Sequence, residues 1–395
     1  MRSLLKIIFI ITLLELFVAG GGRIFEIGGA TLRIALFFLN ILIVAVLYVY
    51  RASVPKYIVV LSVMGLAVLL FYAGLGILNG APFALITEDV KPLSYFFSIL
   101  FFSYYIDREE RVELVVSLIK KSSLFLALAY IGLQGMFFLG RIDFMWFYSY
   151  ALNQISPSDF IFRGAQGLFF YKGFVYMVVG LIFWIHSEKS RWKNSSILII
   201  TVAMILTGTR GFILMFGFVY ALFYGIPMLM RLNIKILLLA AVLAIGSIYF
   251  FGNFEIGDKE LSDSIRIQQL VQVVERINPI SFFIGHGFGV GVPVREVHME
   301  IGYLEVLHKQ GILGLSLWAL FFIFLYNAYS RAKNFISIRK SFLLGICFVL
   351  LLSFTNPIFN NPIGISLFMI ALASLKVLNK LAKKMPADEV NLKVT

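Results

Sequence analysis

Residues 57–78 read YIVVLSVMGLAVLLFYAGLGIL, a run without one charged side chain. At about 1.5 Å of rise per residue, such a run spans the hydrocarbon core of a bilayer as a helix. Working outward, comparable apolar runs occur at 4–19, 31–50, 92–106, 122–139, 168–186, 196–209, 211–230, 236–252, 301–329, 342–355 and 362–378. The expected fold class is all-α: a polytopic integral membrane protein of about 12 transmembrane helices. These form one domain over 1–378, with a basic cytoplasmic tail at 379–395. The first run follows only Arg2; it lacks a cleavage region and leads into further spans, so it reads as a retained helix rather than a signal peptide. The join at Gly208-Thr209-Arg210-Gly211 is so tight that a tilted or re-entrant segment is an alternative there.

The bulk composition agrees with this reading. Of 395 residues 60% are hydrophobic and 14% charged, and the mean hydropathy is +0.93. A formal charge of +13 raises the question of nucleic acid. Once the spans are drawn, however, most of the 34 basic residues but a minority of the 21 acidic ones fall on one side. That asymmetry is the positive-inside pattern, and it puts both termini in the cytoplasm; no nucleic-acid partner is needed to explain it. A single cysteine, Cys347, sits in an apolar run as a packing residue, which excludes an intrachain disulfide or thiolate metal site. Within the spans, Glu15 reads as the one convincing buried ionisable residue. Internal repeats of the transporter kind are not evident.

Two outer loops are long, 141–167 and 253–300. The first mixes Trp146, Tyr148, Tyr150, Asn153, Gln154, Asp159 and Arg163. Sugar-binding surfaces have that composition, but aromatic residues also collect at membrane interfaces. The second loop carries a short helix expected at 265–277, ended by Asn278-Pro279.

Polar side chains crowd from Arg266 to Gly314, and near a bilayer such crowding is costly enough to suggest function. Arg266 and Arg276 are ten residues apart, close to three helical turns. Arg210 stands between glycines at the outer end of a span, where a snorkelling arginine is the plainer reading. The alternating Gly285, Gly287 and Gly289 lack the preceding strand of a dinucleotide loop. They suit an irregular segment packed on helices, or backbone N–H groups approaching an anion. A helix begun near Arg295 would align Arg295, His298, Gly302, Glu305 and Lys309 on one face. His298 and Glu300 would diverge by roughly 200°. The His-x-Glu spacing lacks the cysteine pair of zinc deaminases, so no metal is expected. A structural salt-bridge network is the plain alternative for this whole cluster.

These motifs in order resemble a family. Thr-Gly-Thr-Arg210-Gly, Arg266 ahead of Pro279, Gly285-His-Gly-Phe-Gly, a polar residue before Tyr303-Leu304-Glu305, and Gly311-Ile-Leu-Gly314 are together similar to the O-antigen ligase and O-antigen polymerase superfamily. The resemblance implies a glycosyltransferase of the bacterial inner membrane whose site faces the periplasm. Its donor would be an oligosaccharide on undecaprenyl diphosphate, with no cofactor and no metal. It also implies that Arg210 and Arg266 hold the diphosphate. Family ligases carry a His-Asn pair just before the Tyr-Leu, whereas this chain has Glu300-Ile301 with His298 two residues earlier; that turns the resemblance toward polymerases.

The chemistry fits the inventory. Cleaving a sugar–diphosphate bond develops negative charge that fixed guanidinium groups can meet. Arg276 and Arg295 are reserves for that clamp, and Gly285, Gly287, Gly289 and Tyr303 are further substrate-binding candidates. An acceptor hydroxyl must lose a proton, for which Glu300 is the first candidate base and His298 its competitor. A single displacement would invert the anomeric carbon. Competing functions are a ligase delivering finished glycan to lipid A core or another acceptor, and a flippase or transporter of the lipid-linked sugar. Expected partners are the lipid-linked oligosaccharide and membrane lipids, with room for a chain-length regulator protein.

Overall fold

Helices that are apolar on every side must be buried on every side or face lipid, and this chain contains both kinds. The computed structural model describes residues 2–22, 26–27, 30–51, 54–155, 159–163, 167–225, 259–332 and 334–383. The expected ninth span, 236–252, lies outside the described residues, as do the end of the eighth, the start of the second outer loop and most of the tail.

In chain order the first helices are α1 (Arg2–Val18), α2 (Leu32–Arg51), α3 (Lys56–Leu78), α4 (Phe83–Leu93), α5 (Ser98–Tyr105), α6 (Glu109–Phe138) and α7 (Phe144–Tyr150). They continue as α8 (Phe174–His186), α9 (Lys193–Leu206), α10 (Arg210–Tyr220), α11 (Lys259–Arg276), α12 (Pro279–Ile284), α13 (Gly302–Ser330), α14 (Ile336–Leu352) and α15 (Pro362–Ala382). Among the described residues five helices, α2, α3, α6, α13 and α15, are long and apolar enough to cross a membrane. The remaining expected spans correspond to shorter helices where they are described.

Two pillars form the interior. In α8 every residue from Phe174 to Trp184 is buried, and the helix packs against α6, α9 and α14. In α15 the burial is nearly as complete, against α5, α13 and α14. By contrast α3 leaves Val63, Leu70 and Ile77 exposed, as a lipid-facing helix does. An ion pair ties α1 to α2: Arg33 Nε lies 3.0 Å from both Glu15 carboxylate oxygens, and Nη1 donates to Gly20 O at 2.6 Å.

Two expected elements are redrawn, and one conditional helix start is not found. The span expected at 92–106 begins earlier, as α4, and passes through a 3-10 turn at Ser94–Phe97 into α5. Pro92 explains the break, because it has no N–H and crowds the preceding turn. The run 168–186 divides: Leu168–Tyr171 is a strand paired antiparallel with Phe160–Arg163, and only Phe174–His186 is helical. Finally, α13 begins at Gly302, in agreement with the span expected at 301–329; the conditional start near Arg295 is not found, and irregular chain with a Val292–Arg295 bridge stands there instead.

Candidate active site

The site is built on the first turns of α13. Glu305 and Lys309 are one helical turn apart, so their side chains meet: Nζ lies 2.8 Å from Glu305 Oε1. From α4, Asp89 brings Oδ1 to 2.7 Å from the same ammonium, which also donates to Val297 O. The three charged side chains are almost wholly buried. Burial of that kind is tolerable only when every lone pair and proton is answered. Here the second Asp89 oxygen accepts from Gly289 N–H at 2.7 Å, and the second Glu305 oxygen accepts from Asn360 Nδ2 at 3.0 Å. Two carboxylates sharing one ammonium leave the group a formal charge of −1 when His298 is neutral.

His298 is the exposed member of the cluster. Its side chain is 48% accessible, with Nδ1 3.4 Å from Glu305 Oε1 and 3.9 Å from Asp89 Oδ1. A carboxylate facing Nδ1 fixes the ring and favours a proton on that nitrogen, which leaves Nε2 as the acceptor. Donor atoms of Asp89, His298 and Glu305 lie within 4.8 Å of one another, close enough to ligate a metal. The Lys309 ammonium already lies against both carboxylates, so this chain supplies a cation of its own there.

The glycine loop is what closes the cluster. Gly311 interrupts α13 with φ 63° and ψ −167°, freeing the carbonyls of His308 and Lys309 from the helical ladder. They accept instead from His286 N–H and Gly287 N–H, each at 2.9 Å. Phe288 N–H donates to Tyr72 O on α3, also at 2.9 Å. Gly285, Gly287 and Gly289 all have positive φ, and a Cβ on Gly287 would stand 2.2 Å from Gly76 N. Of the two sequence readings for these glycines, packing on helices is the one observed, and Gly289 N–H approaches an anion only in the form of Asp89.

A cavity of about 870 Å³ opens beside the cluster. Asp89, His298, Glu305 and Lys309 line it together with Arg33, Lys91, Asp159 and Lys172, and with Asn356, Asn360 and Asn361 from the loop between α14 and α15. Asp159 is held by Gly21 N–H at 3.1 Å and by Lys172 at 3.5 Å. The neighbouring aromatic segment α7 stacks Trp146 on Tyr150 at 5.5 Å, both rings exposed.

Glu300 and its arginines form a second, outer cluster. Arg266 Nε lies 3.1 Å from Glu300 Oε2, Arg295 Nη2 lies 3.0 Å from Oε1, and Gln269 accepts from the Glu300 backbone N–H. Both oxygens of Glu300 are thus engaged by guanidinium groups. Arg276 donates to Gly291 O at 2.7 Å. Tyr303 donates to Leu350 O and packs its ring on Phe354 and Phe359. Arg210 is the first residue of α10. Its neighbour Gly211 abuts Leu352 and Thr355 at the start of the asparagine loop, so Arg210 lies at the same end of the bundle as the cavity.

The sequence grouped Glu305 with Lys309, as the structure does, but the face it shared with Arg295 and His298 assumed a helix that begins only at Gly302. Sequence reading missed Asp89, Asn360 and the burial of Arg33. Glu15 is not alone: Arg33, Asp89, Glu305, Lys309 and Arg339 are buried as well.

No protein-family model matches the chain. Over 372 residues it is 30% identical to the O-antigen polymerase of Shigella flexneri, across 92% of this chain and 93% of that protein.

Proposed function

The chain belongs to the O-antigen polymerase family, and from that premise we propose that it lengthens a polysaccharide by joining lipid-diphosphate-linked repeat units at the cavity beside His298. The observation that carries this reading is one half-exposed imidazole, oriented by a buried Glu305–Lys309–Asp89 group, at the wall of a cavity large enough for sugar residues.

In this reading His298 Nε2 accepts the proton of an acceptor hydroxyl as its oxygen attacks the anomeric carbon, while the bond to the diphosphate oxygen breaks. One displacement inverts the anomeric centre. His298 takes precedence over Glu300 as the base, because Glu300 has both oxygens committed to Arg266 and Arg295. Negative charge on the leaving diphosphate is met by guanidinium groups; Arg210 and Arg266 are the proposed clamp, although neither lines the cavity and Arg266 has to exchange Glu300 for the diphosphate, with Arg276 and Arg295 as reserves. Where a metal-dependent transferase would place a cation against carboxylates, Lys309 places an ammonium, so the proposed reaction is metal-independent.

The donor proposed is an oligosaccharide on undecaprenyl diphosphate, in the bacterial inner membrane. Helix ends support the orientation. The cavity lies where α1 ends and α2, α13 and α15 begin, whereas Arg51, Lys56, Arg108, Arg191, Arg331 and Lys383 lie at the other ends of helices. By the positive-inside rule this supports a cytoplasmic basic end and a periplasmic cavity. Twelve spans, cytoplasmic termini and a chain-length regulator as partner complete the proposal.

The test is reconstitution. Purified protein given lipid-linked repeat units in detergent makes new glycosidic bonds, and His298→Ala does not, while Glu300→Gln retains more activity than His298→Ala. Product from His298→Ala at the wild-type rate removes the assigned base, and translocation without bond formation by the wild type turns the reading to a transporter.

A further inference from the structure

A second cavity, of about 520 Å³, lies at the opposite end of the bundle, between the end of α13 and the last turns of α15. Its walls carry Arg331, Asn334, Lys376, Asn379, Lys380 and Lys383. Four of those six side chains are cationic, and none of the four is in an ion pair among the described residues. The sequence explains the imbalance: from Val306 to Ala387 it contains no Asp or Glu.

A fifth positive charge stands behind the wall. Arg339 is completely buried, yet among the described residues it has no carboxylate partner. Nε donates to Asn334 O at 2.7 Å and Nη2 to Asn379 Oδ1 at 2.8 Å, and the remaining bonds go to the carbonyls of Ala328 and Tyr329. Arg339 thus fixes the two asparagines that line the cavity and adds its field to theirs. Lys376 is anchored over the rings of Phe324 and Tyr57, at 4.5 and 4.9 Å. An ammonium held in this way keeps its place, and its charge is not neutralised by an aromatic face.

Several like charges around one partly enclosed space repel one another unless an anion enters. We propose that this cavity binds the phosphate group of an anionic phospholipid, seated at the interface between the basic end of the bundle and the bilayer. The ligand is a phosphodiester bearing acyl chains rather than a soluble phosphate, because the site is rimmed by membrane-crossing helices α13 and α15 and lies at their ends, at headgroup level. The cation count and the absence of acid suit phosphate oxygens, while Asn379 is held in the wall by accepting from Arg339 and donating to Ala328 O at 2.8 Å.

The experiment uses the purified full-length protein in a neutral detergent. Dioleoyl-phosphatidylglycerol should raise the thermal unfolding midpoint, whereas dioleoyl-phosphatidylcholine and inorganic phosphate should leave it unchanged. The triple variant Arg331→Gln, Lys380→Gln, Lys383→Gln should lose that rise. A triple variant of basic residues elsewhere, Lys189→Gln, Arg191→Gln, Lys193→Gln, should retain it. An equal rise in the first variant overturns the proposal, and so does a rise with phosphatidylcholine. If inorganic phosphate alone reproduces the effect, the site takes a soluble anion and the lipid assignment is wrong. Native mass spectrometry of the unaltered protein reads the same point without a variant: phosphatidylglycerol should stay bound at collision energies that strip phosphatidylcholine, and equal loss overturns the site.

Discussion

Lys309 shows how one side chain can hold a cluster together. Removing it leaves Asp89 and Glu305 buried with their charges uncompensated, and breaking a buried pair in this way costs about 3–5 kcal/mol. Lys309→Met is therefore expected to lower the unfolding midpoint sharply. Adding Asp89→Asn to Lys309→Met removes one of the stranded charges and should recover part of the loss; no recovery would mean that the ammonium is not shared as its 2.7 and 2.8 Å contacts imply. His298 is a different case. It is half exposed and contributes little to packing, so His298→Ala should express at wild-type levels while losing about 10²-fold or more of polymerising activity. Glu305→Gln keeps the volume of the side chain but loses the charge that faces Nδ1, and should depress the rate without abolishing lipid-substrate binding. At this scale part was legible. The Glu305–Lys309 pair follows from helical spacing, whereas the angle expected between His298 and Glu300 assumed a helix that does not reach them; they part because irregular chain carries them to different partners. Asp89 was not legible, because its partner lies more than two hundred residues away in the chain and no local pattern signals that distance.

At the scale of elements, the glycine loop and the break in α13 form one joint. Gly287→Ala would drive a methyl group into the backbone of Gly76, so loss of folded protein is expected even though the change is small. Gly217→Ala, with open space around its position, serves as the control and should fold normally. The boundaries of elements were the least readable feature of the sequence. Residues 295–300 have helical spacing of polar groups, but their backbone is engaged elsewhere: Glu300 N–H with Gln269 and Arg295 N–H with Val292. Likewise, Leu168-Phe-Phe-Tyr171 is as apolar as a helix start, and a short apolar run does not by itself distinguish strand from helix. Pro92 hid the true beginning of its span, and with it the helix that carries Asp89.

For the whole molecule, the expected partition of charge rests on composition along the chain and on where the spans are drawn. What the sequence did not reveal is which helices form the centre. The apolar runs at α3 and α15 look alike, yet α3 faces outward while α15 is enclosed. Only packing decides that. The orientation can be checked with the single native cysteine replaced, Cys347→Ala, and new cysteines introduced at Lys172 and Lys189. A membrane-impermeant maleimide added to intact spheroplasts should label Lys172→Cys at the cavity end and spare Lys189→Cys; the reverse pattern would place the cavity in the cytoplasm.

All of this converges on the imidazole at the cavity wall. The most direct measurement is the rate of glycosidic bond formation by purified His298→Ala, with defined lipid-diphosphate-linked repeat units as substrate, beside wild type and Glu300→Gln. The account predicts a folded His298→Ala protein that still binds the lipid-linked substrate but makes almost no longer chain, with Glu300→Gln impaired less. Full activity in His298→Ala, or a complete loss confined to Glu300→Gln, would contradict it.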